Sequence, residues 1–196
     1  SQGDRGFTFL ELLVVILMIG VIATIAAPGW LAFTNQRRVN AAKEVVLRGL
    51  QDAQSQAKKT KQSYSVGFRT ENGIPQVAVY QSGTTPEPIQ WKSLGGDLEI
   101  KPSQVLLRTN LNRENNGDVS NRELSNDKVI TFDYMGALPE GSDVDPPLTV
   151  VVGSSRGNNQ LNESTIRCVK VTTLLGSITS DRGQYNSATQ RGCPFN

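Results

Sequence analysis

Apolar residues crowd one end of this chain. From Phe7 to Ala27 the sequence FTFLELLVVILMIGVIATIAA carries a single charge, Glu11, over a length that lets an α-helix cross the hydrocarbon core of a bilayer. Beyond Pro28 the apolar positions thin out to helical spacing at Leu31, Val39, Ala42, Val45, Val46, Leu50, Ala53 and Ala57, with Arg37, Arg38, Lys43, Arg48 and Lys58 largely between them. Together the two patterns predict one helix from about Thr8 to about Lys61. Its first half lies in lipid and its second packs on a head, with a kink or local melting at Pro28 and nearby Gly20. A secretory signal peptide has a shorter apolar core and a small-residue cleavage site after it. Here Pro28, Gly29 and Trp30 follow, so the segment reads as a retained anchor.

After Gln62 the period shortens. Alternating or β-rich runs at 63–69, 76–81, 98–100, 105–109, 128–132, 148–152, 166–174 and 176–179 predict strands, with Gly, Pro, Asn and Asp turns between them. The expected fold class is α+β, a long N-terminal helix packed on an antiparallel β-sheet head. Residues 7–29 form the membrane-spanning part, 30–62 the amphipathic half of the same helix, and 63–196 the head. Within the head, Asn110–Asp127 (NLNRENNGDVSNRELSND) is polar and turn-rich and reads as an exposed excursion.

Charge and composition narrow the chemistry. Twenty Lys and Arg against 18 Asp and Glu give a net charge of +2, too small for a general phosphate-binding field. The basic excess is local: residues 30–62 hold seven basic and two acidic residues, directly after the apolar block. With no histidine in the chain, the commonest general base, the usual Ser-His and Cys-His nucleophile pairs and most zinc or copper sites are excluded. The two cysteines, Cys168 and Cys193, lie in the last thirty residues. A disulfide between them would place the head in an oxidising compartment outside the cytoplasm; the alternative is two free thiols. Asp118, Asp127, Asp143 and Asp145 match no EF-hand loop and read as solvated turns, so neither a metal nor a cofactor is expected.

Glu11 is the anomaly. One turn inside the apolar block, a carboxylate costs roughly 2.5–3.5 kcal/mol unless it finds a partner or a proton. Its setting is specific: Gly6-Phe7-Thr8-Phe9-Leu10-Glu11, with Arg5 before it and an apolar run after it, closely resembles the class III signal of type IV pilins and pseudopilins. The resemblance implies that residues 1–6 are the truncated remnant of a prepilin leader. It also implies that a prepilin peptidase cuts between Gly6 and Phe7 and that the new Phe7 amine is methylated. Glu11 then stands fifth in the mature chain, where the terminal ammonium of a neighbouring subunit can neutralise it and set helix register in a filament. Pro28 falls at the family's usual proline position.

Two stretches of the head resemble the GspH/FimT branch of minor pilins and pseudopilins. One is Val129-Ile-Thr-Phe-Asp-Tyr-Met-Gly136, similar to that branch's hydrophobic-Phe-x-x-x-Gly strand and turn. The other is Ile166-Arg-Cys-Val-Lys-Val171 followed by Leu175-Gly176-Ser177-Ile178, similar to its closing strand pair. Some members carry DNA-contacting arginines after the final glycine; this chain has Gly176-Ser177-Ile178-Thr179 there and departs from that pattern.

The resemblance implies a structural subunit, not an enzyme, assembling into or priming a type IV pilus or a type II secretion pseudopilus. Its partners would be other pilin or pseudopilin subunits, the prepilin peptidase, an inner-membrane assembly platform and the membrane itself. Its expected place is the bacterial inner membrane, single-pass with the head outside the cytoplasm, and later a periplasmic or surface filament. Counted literally, Arg5 before the span and Arg37 and Arg38 after it give the opposite orientation. The count is set aside because a leader starting at Ser1 is read as incomplete. The alternative is a DNA-binding minor pilin of natural transformation using Arg156, Arg167, Lys170, Arg182 and Arg191, disfavoured because acidic residues offset them and no aromatic stacking platform is evident. The sole enzymatic handle, Ser55-x-x-Lys58, puts both side chains on one helical face but has no accompanying K-T-G.

Overall fold

A computed structural model describes residues 7–83, 89–111, 128–139, 146–186, 188–189 and 191–193. The chain divides into two compact units, Ser1–Asn35 and Gln36–Asn196. One helix, α1 (Phe9–Thr60), begins in the first unit and ends in the second.

In the first unit α1 starts at a cap. Thr8 precedes the first helical residue, and its hydroxyl accepts a hydrogen bond from the Glu11 amide at 3.2 Å. The helix then runs through Gly20 and Pro28 without interruption, so the local melting expected there is not observed. Pro28 cannot donate to the Thr24 carbonyl, but transmembrane helices tolerate proline where nearby groups relieve the loss. Nearly every large side chain from Phe7 to Phe33 is exposed, Leu17 at 62% for example, so no part of the described chain covers this apolar surface.

The second unit is built on the other half of α1. Val39, Ala42, Val46, Gly49, Leu50, Ala53 and Ala57 form one buried stripe three or four residues apart. Four of these seven residues are Ala or Gly, so strands can approach the helix closely. At Gly49 an added methyl would already touch Val77 at 3.5 Å and Val66 at 3.8 Å. The helix ends where Lys61 turns to a φ of 60°.

Among the described residues eight strands follow: β1 (Tyr64–Glu71), β2 (Ile74–Gln81), β3 (Lys92–Ser93), β4 (Val105–Thr109), β5 (Val129–Phe132), β6 (Leu148–Ser154), β7 (Arg167–Val171) and β8 (Ile178–Arg182). The β1–β2 hairpin turns on Asn72-Gly73, both at positive φ (50° and 76°), as a tight two-residue turn demands. The strands form two four-stranded antiparallel sheets, ordered β3-β2-β1-β5 and β4-β6-β7-β8. Both sheets bury one face in a single core with the α1 stripe: Val66, Phe68 and Phe132 come from the first, and Leu107, Val150 and Val169 from the second.

Two strand expectations fail for local reasons. Residues 98–100 form no strand; the Leu98 amide donates to Gly95 O in a turn, and Ile100 enters the core from irregular backbone. The run 166–174 stops pairing at Val171, because the Gly176 amide donates to Thr173 O and closes a turn before β8. Most of the polar excursion at 110–127 lies outside the described residues.

Candidate functional site

Three places concentrate chemistry, and α1 touches two of them. The first is its N-terminal turn. Gly6 lies outside the described residues, while Phe7 is 83% exposed and Glu11 is exposed one turn further on. Thr8-Phe9-Leu10-Glu11 also has the T-x-x-E form of a capping box, of which the half made by Thr8 is present, its hydroxyl accepting from the Glu11 amide. A carboxylate here also faces the positive end of the helix dipole. The exposed surface running on from Glu11 is long and apolar enough to cross a membrane, and none of it is buried in the chain. Pro28 lies within it.

The second place joins the two GspH/FimT-like stretches. Gly136 ends the turn after β5, and Gly176 sits in the turn between β7 and β8; both have positive φ (77° and 76°). Asp133 holds the first turn by accepting from the Met135 and Ala137 amides at 2.8 and 2.9 Å. The turns meet through Leu138 N donating to Leu174 O at 2.8 Å. The Gln54 side chain of α1 then clasps both, its Nε2 donating to Gly136 O at 2.7 Å and to Gly176 O at 2.8 Å. A side chain at Gly136 would collide with Lys58 and Gln54, and one at Gly176 with the Gly136 carbonyl. The two glycines are therefore needed for close approach. The sequence pattern marked them but not Gln54, because a single polar residue beside a buried helical stripe carries no signal of its own. Lys58 is part of this packing, whereas Ser55 is exposed.

The third place is the C-terminal loop. Cys168 and Cys193 are joined by a disulfide across 25 residues of sequence. Inside that loop Lys170, nearly buried, donates to Asp181 Oδ2 and to Gly192 O, each at 3.1 Å. Gly192 N in turn donates to Asp181 Oδ2 at 2.8 Å. Burial pushes the Asp181 carboxyl upward, but the Gly192 amide and the Lys170 ammonium outweigh it and hold the carboxyl below its usual range.

These contacts sort the basic residues of the DNA-binding alternative. Lys170 is spent on Asp181 and Gly192. Arg167 and Arg182 stand directly opposite each other on β7 and β8, while Arg156 and Arg191 are exposed in loops. The aspartates weighed for calcium, Asp118, Asp127, Asp143 and Asp145, lie outside the described residues. Among the described residues no cluster of three or more His, Cys, Asp or Glu is placed to hold a metal.

Comparison with known proteins agrees with the first of these places. The family model described as the prokaryotic N-terminal methylation motif matches residues 2–27. The type IV major pilin protein PilA of Myxococcus xanthus (strain DK1622) is 36% identical over 75 residues, covering 36% of this chain and 34% of that protein. The chain thus matches about a third of the length of that relative. The type IV minor pilin FimU of Pseudomonas aeruginosa (strain PAO1) superposes with a TM-score of 0.48 at 16% identity, covering 75% of this chain and 90% of that one. The chain thus carries an N-terminal methylation motif and is similar to type IV pilins over part of its length, and its apolar helix and that motif fit the membrane anchoring of pilins.

Proposed function

We propose that this chain is a structural minor pilin or pseudopilin of the GspH/FimT type. It is cut between Gly6 and Phe7 by a prepilin peptidase, methylated at Phe7, and built through an inner-membrane platform into a type IV pilus or a type II secretion pseudopilus. The observation that carries the reading is one exposed carboxylate, Glu11, at the start of an exposed apolar helix, five residues from a peptidase-type junction. Lipid covers the helix first and neighbouring subunit helices cover it afterwards. In that second setting Glu11 needs a cation, and the cut supplies one in the Phe7 ammonium of a neighbour. The head stays outside the cytoplasm, where Cys168 and Cys193 remain paired.

Two measurements test this. The mass of the native N-terminus should be that of a chain beginning at N-methylated Phe7; an uncut chain in cells with active peptidase would count heavily against the reading. Glu11→Ala should insert into the membrane normally yet enter filaments poorly, and incorporation at the unmodified level would refute the pairing role.

A further inference from the structure

The inward face of the second sheet changes character along its length. On β7 the core-facing positions are Val171, Val169 and Arg167; opposite them on β8 stand Ile178, Ser180 and Arg182. Apolar packing at the Gln54 end of α1 thus gives way, at the Asn40 end, to two arginines side by side on one face. Arg167 is fixed there, its Nε donating to Asn40 Oδ1 at 3.1 Å and its Nη1 to Ile166 O at 2.8 Å.

Like charges directly opposite each other on antiparallel strands are destabilising. Arg167 is half-buried as well; burial, and then the charge of Arg182, lowers its pKa below the usual guanidinium value. Yet among the described residues no carboxylate comes within ion-pair distance of either arginine. The nearby pair Lys170–Asp181 does not compensate them: adjacent strand positions face opposite ways, and Asp181 is committed to Lys170 and Gly192. An arginine pair built into a sheet at this cost, with no carboxylate partner among the described residues, is suited to hold an anion.

Sequence position identifies the anion. Asn40, which fixes Arg167, follows Phe33, the last large exposed apolar residue of the anchor, by only seven residues along the chain. Arg37 and Arg38 occupy the turn before it, in the stretch where the basic excess is concentrated. A bilayer that takes the apolar helix presents lipid phosphates to the residues that follow the span along the chain, and basic residues next to a span are held by anionic headgroups. We propose that Arg167 and Arg182 form a headgroup site that binds the phosphate of an anionic phospholipid, docking the β7–β8 edge of the head on the membrane before the subunit is drawn into a filament. The proposal takes from the functional reading only that α1 enters a bilayer.

The test uses the full chain in lipid nanodiscs, either of zwitterionic phosphatidylcholine alone or with a large fraction of anionic phosphatidylglycerol. The rate of arginine modification by phenylglyoxal is read residue by residue by mass spectrometry. At roughly the energy of one basic residue near an anionic surface, Arg182 and Arg167 should be modified about fivefold more slowly in the anionic discs, and high salt should erase the difference. Arg156, outside the pair, should change little. Arg182→Gln, at an exposed position, should fold with its disulfide intact and remove the protection of Arg167. Equal rates for Arg167 and Arg182 in both discs would overturn the proposal while leaving the anchor intact. Equal protection in zwitterionic discs by inorganic phosphate or by duplex DNA would overturn it too, reassigning the pair to a soluble phosphate or to nucleic acid. If the chain enters neither disc, the anchor and the site fall together.

Discussion

The two halves of α1 share a backbone and differ in what surrounds them. From Phe9 to Phe33 the side chains are mostly apolar and exposed; from Val39 to Ala57 a narrow stripe of small and branched residues is buried under two sheets. Helix formation alone therefore does not distinguish them. The difference lies in composition around the helix: the first half is apolar on every side and needs a surrounding apolar medium or further helices, whereas the second is apolar on one face and finds its cover within the chain. A single helix can thus serve one solvent at its start and another at its end.

Breaking the packed half should have the largest effect. Leu50 is fully buried, and Leu50→Ala should cost the head about 4 kcal/mol by lost transfer and cavity terms. Leu17→Ala, on the exposed half, should shift the same denaturant midpoint by less than about 0.5 kcal/mol in detergent. If both substitutions shift it equally, the contrast between the halves is lost.

Next in size is the disulfide. Replacing Cys168 and Cys193 by serine opens a loop of 25 residues and should cost about 3.5 kcal/mol on the chain-entropy account, measured by denaturant unfolding of the head. The exposed half of α1 should keep its helicity by circular dichroism in the same detergent.

Gln54→Ala tests whether the clasp ties the sheets to the helix. It removes the donor for two carbonyls and should destabilise the head by about 1–3 kcal/mol. Hydrogen exchange should quicken in both the 133–137 and 172–177 turns; a change in one turn alone would mean that Gln54 does not couple them.

The smallest effect is a matter of pH. Because folding lowers the Asp181 pKa, its contribution is fully present above the carboxyl's unfolded value and is lost as pH falls through the lower folded value. The pair is partly exposed, so the loss should stay under about 1 kcal/mol. Asp181→Asn should flatten that part of the acid limb, and an unchanged acid limb would remove Asp181 from the account.

Much of this organisation was legible in the chain. The span and the packed stripe follow from the period and length of their apolar positions, which act within one helix and need no knowledge of neighbours. Asn72-Gly73 announces its hairpin for the same reason, since a tight turn is a local backbone requirement. Run 98–100 failed because Ile100 is apolar on behalf of the core, without strand partners, and apolarity by itself does not name the partner.

What the sequence determined by itself is the change of surroundings along α1, the methylation motif at its start and the misplaced charge at Glu11, all encoded in residues adjacent along the chain. Only the tertiary structure decided that the strands divide into two sheets, that Gln54 draws Gly136 and Gly176 together, and that Arg167 faces Arg182 while Lys170 turns away to Asp181. Those outcomes depend on strand register and on contacts between segments tens of residues apart. A one-residue change of register would exchange the two faces of β7 without altering a letter of the sequence.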